Sequence, residues 1–230
     1  MPLVSLPGAH RACNHQSALG NDEFVCEEVS KLVKCGCIKV VISQPYVRSP
    51  LSVVQSSMGK KRLVVNLRYL NQFLWKQRFR YEDLRTALLL FQPGDHAFTF
   101  DLKSGYHHVD IYEPHQKFLG CEWHAKFCQF TVLPFGLSTA CYIFTKLMRA
   151  LVKYWRSCGI RVVMFLDDGI GMDKGEMPAI QASNVVQKSL RRAGFLDHPE
   201  KCMWTPSTKI SWLGFHIDLV DVRLQYQGKK

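Results

Sequence analysis

Residues 162–172 read VVMFLDDGIGM, and this stretch decides how the chain folds. Five apolar residues, as a buried strand requires, run directly into the adjacent acids Asp167 and Asp168. Apolar residues resume at Ile170, so the pattern predicts two short strands around a tight turn at residues 167–169. Adjacent acids repel each other and lose solvation beside a buried strand, but a turn that points into water tolerates them. The stretch therefore leaves a functional and a purely structural interpretation open.

A third acid strengthens the functional interpretation. Asp101 ends the apolar strand predicted at residues 98–101, and it precedes Asp167 by 66 residues. If the two strands pair, their acidic ends lie at one edge of the sheet. Three carboxylates in a basic protein make an oxygen-only site, which suits Mg²⁺ or Mn²⁺. Two such ions stabilise the attacking and leaving oxygens of an in-line phosphoryl displacement, and this predicts phosphoryl-transfer chemistry.

Composition places the chain among globular proteins. It has 230 residues, 47% apolar and 21% charged, so it buries more apolar area than a disordered tail does. No run reaches the roughly 18 uncharged apolar residues of a membrane span. The first twenty residues lack the pattern of a secretory signal. We therefore expect an intracellular protein without a membrane partner, and no targeting signal distinguishes cytoplasm from nucleus.

Cysteine usage favours a reducing compartment over a disulfide scaffold, because the nine cysteines are scattered and form no CxxC pair. Cys121, His124 and Cys128 have a spacing that zinc could use. The set lacks a second pair of ligands, and a short hairpin explains the spacing equally well.

The positive charge is concentrated in one part of the chain. The formal net charge is +11, and no acid occurs between Glu28 and Glu82. A solvated face is one explanation, but solubility is better served by interspersed signs. A polyanion such as nucleic acid or nucleotide is the more economical partner. Eleven basic residues lie in this window: Lys31, Lys34, Lys39, Arg48, Lys60, Lys61, Arg62, Arg68, Lys76, Arg78 and Arg80.

Periodicity and turn signals predict both helices and strands. The clearest helix follows Gly136, where apolar residues recur at helical spacing until Gly159 ends it. The alternation lacks βαβ regularity, which favours an α+β fold with a largely antiparallel sheet packed on helices. Further helices are predicted at residues 21–35, 81–91 and 178–194, and strands at residues 37–42, 51–55, 63–65, 98–101, 117–122, 127–132 and 212–217.

Five short blocks follow one another between Ser49 and Ile217. They are SPLSVV with KKRL and LRYLN, then FDLKSGY, then LPFGLSTA, then FLDD, and finally GF and KC with WLGF. In this order and spacing they resemble reverse transcriptases. The segments FDLKSGYHHVDIYEPHQ and VLPFGLSTACYIFTKLMRALVKYWR are most similar to DIRS-type retrotransposons, which pair such an enzyme with a tyrosine recombinase. Gypsy-type LTR elements are the next most similar.

The resemblance implies a right-hand polymerase with palm and fingers and without a thumb. It implies an organisation into a tail (1–20), fingers (21–94), a palm (95–218) with a fingers insertion near 109–134, and a C-terminal tail (219–230).

The resemblance also assigns roles to individual residues. Asp101, Asp167 and Asp168 match the metal-binding acids, the backbone carbonyl of Leu102 matches a further metal ligand, and Lys201 approximately matches the region that supplies a general acid to pyrophosphate. The nucleotide-binding residues implied are Arg62 and Lys60 for the triphosphate, Tyr106 as the steric gate against a 2′-hydroxyl, and Phe135 and Gly136 beneath the nascent base pair. The nucleic-acid-binding residues implied are Lys61, Arg68, Trp212 and Gly214.

The implied activity is RNA-directed DNA polymerisation, in which two Mg²⁺ or Mn²⁺ ions assist transfer of dNTPs onto a primer 3′-hydroxyl. The expected partners are an RNA or DNA template with primer, dNTPs, and other domains of a retroelement polyprotein, such as RNase H and a recombinase. One alternative is a degenerate copy that binds nucleic acid without catalysis. Another is an RNA-dependent RNA polymerase, against which Tyr106 argues because an aromatic gate favours deoxynucleotides.

Overall fold

The computed structural model describes residues 1–56 and 59–228. Among these residues, no helix combines the length and the apolar character that crossing a membrane requires. A short 3₁₀ helix covers Gly105–His108. The α-helices are α1 (Gln16–Leu19), α2 (Asp22–Lys34), α3 (Arg68–Asn71), α4 (Leu84–Leu88), α5 (Glu113–Gln116), α6 (Ala140–Ser157) and α7 (Glu176–Arg192).

The strands form separate small sheets rather than one continuous sheet. In chain order they are β1 (His10–Arg11), β2 (Ile38–Val41), β3 (Val47–Arg48), β4 (Leu51–Gln55), β5 (Lys61–Val65), β6 (Asp95–Asp101), β7 (Gly120–Trp123), β8 (Lys126–Phe130), β9 (Arg161–Phe165), β10 (Asp168–Lys174), β11 (Met203–Ser207), β12 (Lys209–Trp212), β13 (Phe215–Asp218) and β14 (Arg223–Tyr226).

The chain divides into two compact units, and each unit takes two segments of sequence. The first unit comprises residues 1–78 and 106–141, and the second comprises residues 79–105 and 142–230.

The first unit is built on a five-stranded sheet of order β1-β3-β7-β8-β2 and on the hairpin β4–β5. The β1–β3 and β3–β7 pairs are parallel, and the other pairs are antiparallel. Residues 1–20 were expected to form a tail, but they contain β1 and α1. Strand β1 enters the sheet beside β3, and the Ser17 hydroxyl of α1 accepts a hydrogen bond from Val53 N at 3.0 Å. These long-range hydrogen bonds hold a segment that shows no periodicity of its own.

The second unit is built on an antiparallel sheet of order β11-β6-β10-β9 and on the three-stranded sheet β12-β13-β14. Residues 219–230 were expected to form a tail, but Leu219 is fully buried and β14 pairs with β13. Helix α7 packs on this unit, and its Ser189 hydroxyl accepts a hydrogen bond from the indole of Trp155 at 2.6 Å. The buried Trp155 belongs to α6, whose predicted apolar face therefore lies in the core.

The helix predicted at residues 81–91 is shorter than expected. Helix α4 begins only at Leu84, because the Asp83 carboxylate accepts hydrogen bonds from the backbone N–H groups of Arg85 and Thr86 and caps the helix there. It ends at Leu88, and Leu89 is largely exposed. Apolar residues at helical spacing thus predicted more helix than the unit can bury.

The centre of the second unit depends on two glycines opposite two aromatic rings. In the β6–β10 register, Gly169 lies opposite Phe100 and Gly171 lies opposite Phe98. A Cβ atom on either glycine would enter the facing phenyl ring. The phenyl rings therefore occupy the space above β10 that side chains would otherwise take, and this is possible only because both positions are glycine.

We predict that Gly169→Ala lowers the free energy of unfolding by about 1–3 kcal/mol, because the Phe100 ring must shift to admit the methyl group. Chemical denaturation measures the loss. Gly228→Ala is the matched control, since nothing lies near the Cβ that it adds. In a double-mutant cycle, Phe100→Leu should reduce the cost of Gly169→Ala. Equal costs with and without the Phe100 ring would contradict the clash.

Candidate active site

The ends of two paired strands bring the carboxylates together. Asp101 is the last residue of β6, and Asp168, the first residue of β10, lies directly opposite it in the antiparallel register. Strand β9 ends at Phe165, which pairs with Asp168 on the other side of β10. Asp167 is therefore in the turn beside both acids, and the three carboxylates meet at one corner of the sheet.

The turn that carries Asp167 differs from the one predicted. It comprises Leu166 and Asp167, whereas Asp168 and Gly169 already belong to β10. Leu166 has a φ of 56°, a left-handed conformation that is strained for a residue with a Cβ. The carbonyl of Asp167 accepts a hydrogen bond from Leu102 N at 2.9 Å, which joins the turn to the end of β6. The sequence signal at Asp-Asp-Gly indicated a turn but placed it one to two residues too late.

Asp101 is held from a segment that follows α7. The carbonyl of Asp101 accepts a hydrogen bond from His198 N at 2.8 Å. The Cys202 thiol accepts a hydrogen bond from Asp101 N at 3.2 Å and lies 3.4 Å from the Asp101 carbonyl. The Lys201 ammonium binds Asp101 Oδ2 at 2.9 Å. Asp101 itself is only 9% exposed, so its position depends on these contacts.

The crowding of charge changes the proton affinity of the turn acids. Burial, together with the charges of Asp101 and Asp167, raises the pKa of Asp168 to about 6. Burial also raises the pKa of Asp167, and the Asp101 charge adds to this effect. The hydrogen bond to Asp101 raises the pKa of Lys201, which therefore stays protonated at neutral pH.

The donor set fits a divalent cation. At the opposite end of β6, the fully buried Asp95 carboxylate is paired with both terminal nitrogens of Arg161 at 2.7 Å, so its charge is balanced. At the corner, the Lys201 ammonium is hydrogen bonded to Asp101 alone, and it is the only cation near the three carboxylates that forms an ion pair with one of them among the described residues. The excess negative charge and the all-oxygen donors match the preference of Mg²⁺ and Mn²⁺.

The four basic residues assigned to nucleotide or nucleic-acid binding lie in the first unit. Lys60, Lys61 and Arg62 follow the β4–β5 turn, and Arg68 begins α3; all four are exposed. Within the described parts of the chain, none of the four forms an ion pair, so their charges are available to a ligand. Ser57 and Met58 lie outside the described residues.

Tyr106 and Phe135 lie side by side in the first unit. Their ring centroids are 4.9 Å apart, and the Tyr106 hydroxyl is 3.0 Å from the thiol of Cys141. Phe135 is 54% exposed, which is unusual for a large apolar side chain and leaves its ring open to a ligand. Gly136 follows with a φ of 91°, in the left-handed region that glycine adopts readily.

Asn71 holds this loop, a role that no sequence pattern predicts. Its amide donates a hydrogen bond to the Gly136 carbonyl at 2.9 Å and accepts one from Ser138 N at 2.8 Å. Asn71 ends the block LRYLN, but no local pattern indicates a partner 65 residues away. Cys202, which binds the backbone of Asp101, was missed for the same reason.

Trp212 and Gly214 differ in their exposure to solvent. Trp212 was expected to contact nucleic acid, but it is only 4% exposed and lies in a core cluster with Ile210, Ile217 and Leu219. The alternation of β12 turns Trp212 inward, so its side chain supports the β12–β13 hairpin instead of facing a polymer. Gly214, with a φ of 80°, is exposed in the turn of that hairpin.

Comparison with known proteins identifies the family. A family model described as "Reverse transcriptase (RNA-dependent DNA polymerase)" matches residues 52–217. The chain belongs to the reverse transcriptase family. The match begins in β4 and ends in β13, so it includes all three carboxylates of the corner.

Curated relatives of this reverse transcriptase are polyproteins. The chain is 28% identical to the Retrovirus-related Pol polyprotein from transposon gypsy of Drosophila melanogaster, over 88% of the chain and 20% of the relative. It is 25% identical to the Transposon Tf2-3 polyprotein of Schizosaccharomyces pombe, over 89% of the chain and 15% of the relative. It is 27% identical to the Enzymatic polyprotein of Figwort mosaic virus, over 85% of the chain and 29% of the relative. The chain thus spans less than a third of the length of these relatives.

Solved structures show the same fold. A foamy viral protease-reverse transcriptase in complex with RNA/DNA hybrid matches with a TM-score of 0.78 and 19% identity, over 94% of this chain and 28% of that one. The same enzyme in complex with dsDNA matches with a TM-score of 0.77 and 21% identity, over 94% of this chain and 44% of that one. This likeness confirms the predicted fold class of helices with mostly antiparallel sheets.

We predict that Asp168→Asn stabilises the metal-free protein at pH 7. The folded-state pKa of about 6 lies above the unfolded value, so ionisation of Asp168 costs stability as pH rises from about 4 to 6. One pKa unit corresponds to about 1.4 kcal/mol. After discounting for solvent screening at this partly exposed carboxyl, we expect a gain of about 1–2 kcal/mol at pH 7 that vanishes near pH 4.

Urea denaturation in the presence of a chelator measures this gain at both pH values. Asp221→Asn is the control, since it removes a carboxylate whose ion pair with Arg223 is largely exposed. A gain that is independent of pH, or no gain at pH 7, would contradict the crowding of charge at the corner.

Proposed function

We propose that this chain catalyses RNA-directed DNA polymerisation, by transferring deoxynucleotides from dNTPs onto a primer 3′-hydroxyl. The observation that carries the proposal is the register that sets Asp168 opposite Asp101, with Asp167 in the adjoining turn. Such a corner holds acceptor oxygens and excess negative charge beside an exposed surface. Membership of the reverse transcriptase family supports the same chemistry.

The residues that would hold two Mg²⁺ or Mn²⁺ ions are Asp101, Asp167 and Asp168, together with the backbone carbonyl of Leu102. When bound, the ions supply Lewis-acid activation of the 3′-hydroxyl and charge neutralisation for the departing pyrophosphate. The protein's own contribution is to fix the carboxylates before substrate arrives. The β6–β10 register fixes Asp101 and Asp168, and the hydrogen bond from Leu102 N fixes the turn at Asp167.

Lys201 serves this site as a cation that stays protonated. Its ammonium offsets part of the carboxylate charge through the 2.9 Å contact with Asp101. More than half of its side chain is exposed, so Lys201 also has the freedom to reach a substrate. The resemblance gives it the further role of donating a proton to the departing pyrophosphate.

Residues of the first unit, together with the Gly214 turn of the second unit, supply the nucleotide and nucleic-acid contacts in this proposal. Arg62, with Lys60, binds the triphosphate, since a guanidinium pairs with two phosphate oxygens at once and keeps its charge. Tyr106 excludes a 2′-hydroxyl, and Phe135 with Gly136 lies under the nascent base pair. Lys61, Arg68 and the exposed Gly214 turn contact the template or primer backbone.

The partners proposed are an RNA or DNA template with its primer, and dNTPs. The basic window between Glu28 and Glu82 supports a polyanion partner, and foamy viral relatives have been solved with dsDNA and with RNA/DNA hybrid. The polyprotein relatives support a retroelement origin. The proposal that RNase H or a recombinase accompanies this domain rests on the sequence resemblance alone. Within retroelements we propose a DIRS-type source on the two segments quoted above, with Gypsy-type elements as the alternative.

A second candidate function is nucleic-acid binding without catalysis by a degenerate copy. The exposed cations of Lys60, Lys61, Arg62 and Arg68, which form no ion pair with any residue that the structure describes, favour it, because they bind a polyanion whether or not the carboxylate corner is active.

We predict that the protein extends a primer on an RNA template with dNTPs and Mg²⁺ or Mn²⁺, and that Asp167→Asn abolishes extension while nucleic-acid binding persists. Primer-extension gels measure the first property and fluorescence anisotropy the second, both at low salt. Asp221→Asn should extend as the wild type does, since it removes an exposed carboxylate outside the corner. Wild-type protein that binds the primed template but adds no nucleotide would favour the degenerate copy. Collapse of the fold in Asp167→Asn would mean that the turn acid is structural.

We predict that Tyr106→Ala relaxes discrimination against ribonucleotides by about tenfold or more, because it removes the ring that excludes the 2′-hydroxyl. The ratio of kcat/KM for dNTP and rNTP measures the change. Tyr226→Ala is the matched control, since it truncates an exposed tyrosine on β14. If the Tyr106 variant incorporates ribonucleotides no better than the wild type, the gate assignment is wrong.

A further inference from the structure

A cluster of three potential ligands lies in the first unit. Asp22 and Cys26 are one helical turn apart on α2, so they share a face of that helix. His124 comes from the turn between β7 and β8, 98 residues further along the chain than Cys26. Cys26 Sγ is 3.7 Å from His124 Nδ1 and 3.9 Å from Asp22 Oδ2. We propose that Asp22, Cys26 and His124 form a binding site for a transition-metal ion of the zinc class.

The donor atoms select this class of metal. A thiolate and an imidazole favour zinc over magnesium, which prefers oxygen ligands alone. Around tetrahedral zinc, sulfur lies about 3.6 Å from nitrogen or oxygen ligands, given bonds of about 2.3 Å and 2.0–2.1 Å. The two distances from Cys26 Sγ lie within a few tenths of an ångström of that value. One ligand atom from each of the three residues lies within 4.8 Å of the others.

The hydrogen bond between His124 and Asp22 prepares the imidazole for a metal. His124 Nε2 is 2.6 Å from Asp22 Oδ1, and a carboxylate only accepts, so the proton belongs to Nε2. In the neutral ring, Nδ1 then keeps a lone pair, and this is the atom nearest Cys26 Sγ. The Asp22 side chain is 55% exposed, so its carboxylate can exchange the hydrogen bond to His124 for a bond to the ion. On binding, the Cys26 thiol releases its proton to solvent, and water takes the fourth position.

Trp123 supports the sulfur from the buried side. Its indole N–H lies 3.2 Å from Cys26 Sγ and donates to it, which fixes the position of the sulfur. Trp123 is only 6% exposed, and its ring stacks on the His124 ring with centroids 5.1 Å apart. One buried aromatic residue thus orients both the sulfur and the imidazole, as supporting residues of metal sites do.

The backbone conformation of the His124 turn is strained. His124 and Ala125 have φ values of 47° and 58°, so both residues of this two-residue hairpin turn are left-handed. Asn-Gly is the usual sequence there, because other residues are strained in that conformation. The turn places a histidine at the strained position, and its ring contacts α2.

The ligand set differs from the one that spacing suggested. Cys121 and Cys128 are cross-strand partners in the β7–β8 hairpin, where both are buried. Their spacing is therefore explained by the hairpin. His124 contacts Cys26 and Asp22 instead, which no local pattern could indicate.

Alkylation of the wild-type protein tests the site without any substitution. The protein is treated with iodoacetamide in zinc, in magnesium or in chelator, and the modification of each cysteine is followed by peptide mass spectrometry. We expect zinc, but not magnesium, to slow modification of Cys26 about tenfold or more. The exposed Cys13, Cys35 and Cys158 are internal controls and should react at unchanged rates. Unchanged reactivity of Cys26 in zinc, or protection of Cys121 and Cys128 instead, would overturn the assignment.

Cobalt binding provides a second readout. Co²⁺ in the site should give a thiolate-to-metal charge-transfer band that Cys26→Ser abolishes and Cys13→Ser retains. His124→Asn removes the imidazole yet suits a left-handed turn, so we expect a folded variant with affinity lowered about tenfold or more. Equal loss of the band in Cys13→Ser, or full affinity in His124→Asn, would overturn the proposal.

Discussion

The pairing of β6 with β10 is the constraint on which the candidate site depends. Side chains alternate along a strand, so a slip of one residue would turn Asp168 away from Asp101. The register is held by shape, because Phe98 and Phe100 fit only opposite the two glycines of β10. The same interaction that builds the core of the second unit therefore sets the distance between its acids.

The two ends of β6 show how burial and function compete. Asp95 is fully buried, yet Arg161 satisfies its carboxylate with two hydrogen bonds, so this end is a structural anchor. Asp101 binds Lys201 but lies beside two further acids, and burial together with the charges of Asp101 and Asp167 raises the pKa of Asp168. A corner that is destabilised by its own charge gains most from a cation or a cationic ligand.

Sequence patterns succeeded where the deciding contacts are local and failed where they are distant. The apolar face of α6 and the strand that ends at Asp101 follow from periodicity alone, because both bury a continuous stripe. The prediction that residues 1–20 and 219–230 form tails was wrong, since β1 and β14 exist only through pairing with other strands. The resemblance assigned Trp212 to nucleic-acid binding, but the alternation of its strand buries its side chain.

Hydrophobic pattern and residue type are local properties, so the strands that carry the acids follow from the amino-acid sequence. The five ordered blocks likewise indicate the family that the family model confirms. The long-range contacts emerge from the folded chain: Asp168 faces Asp101, Asn71 binds the Gly136 loop, and His124 contacts Cys26. Each of these contacts joins residues 65 to 98 positions apart, and such partners are selected by the packing of whole elements, which no window of sequence contains.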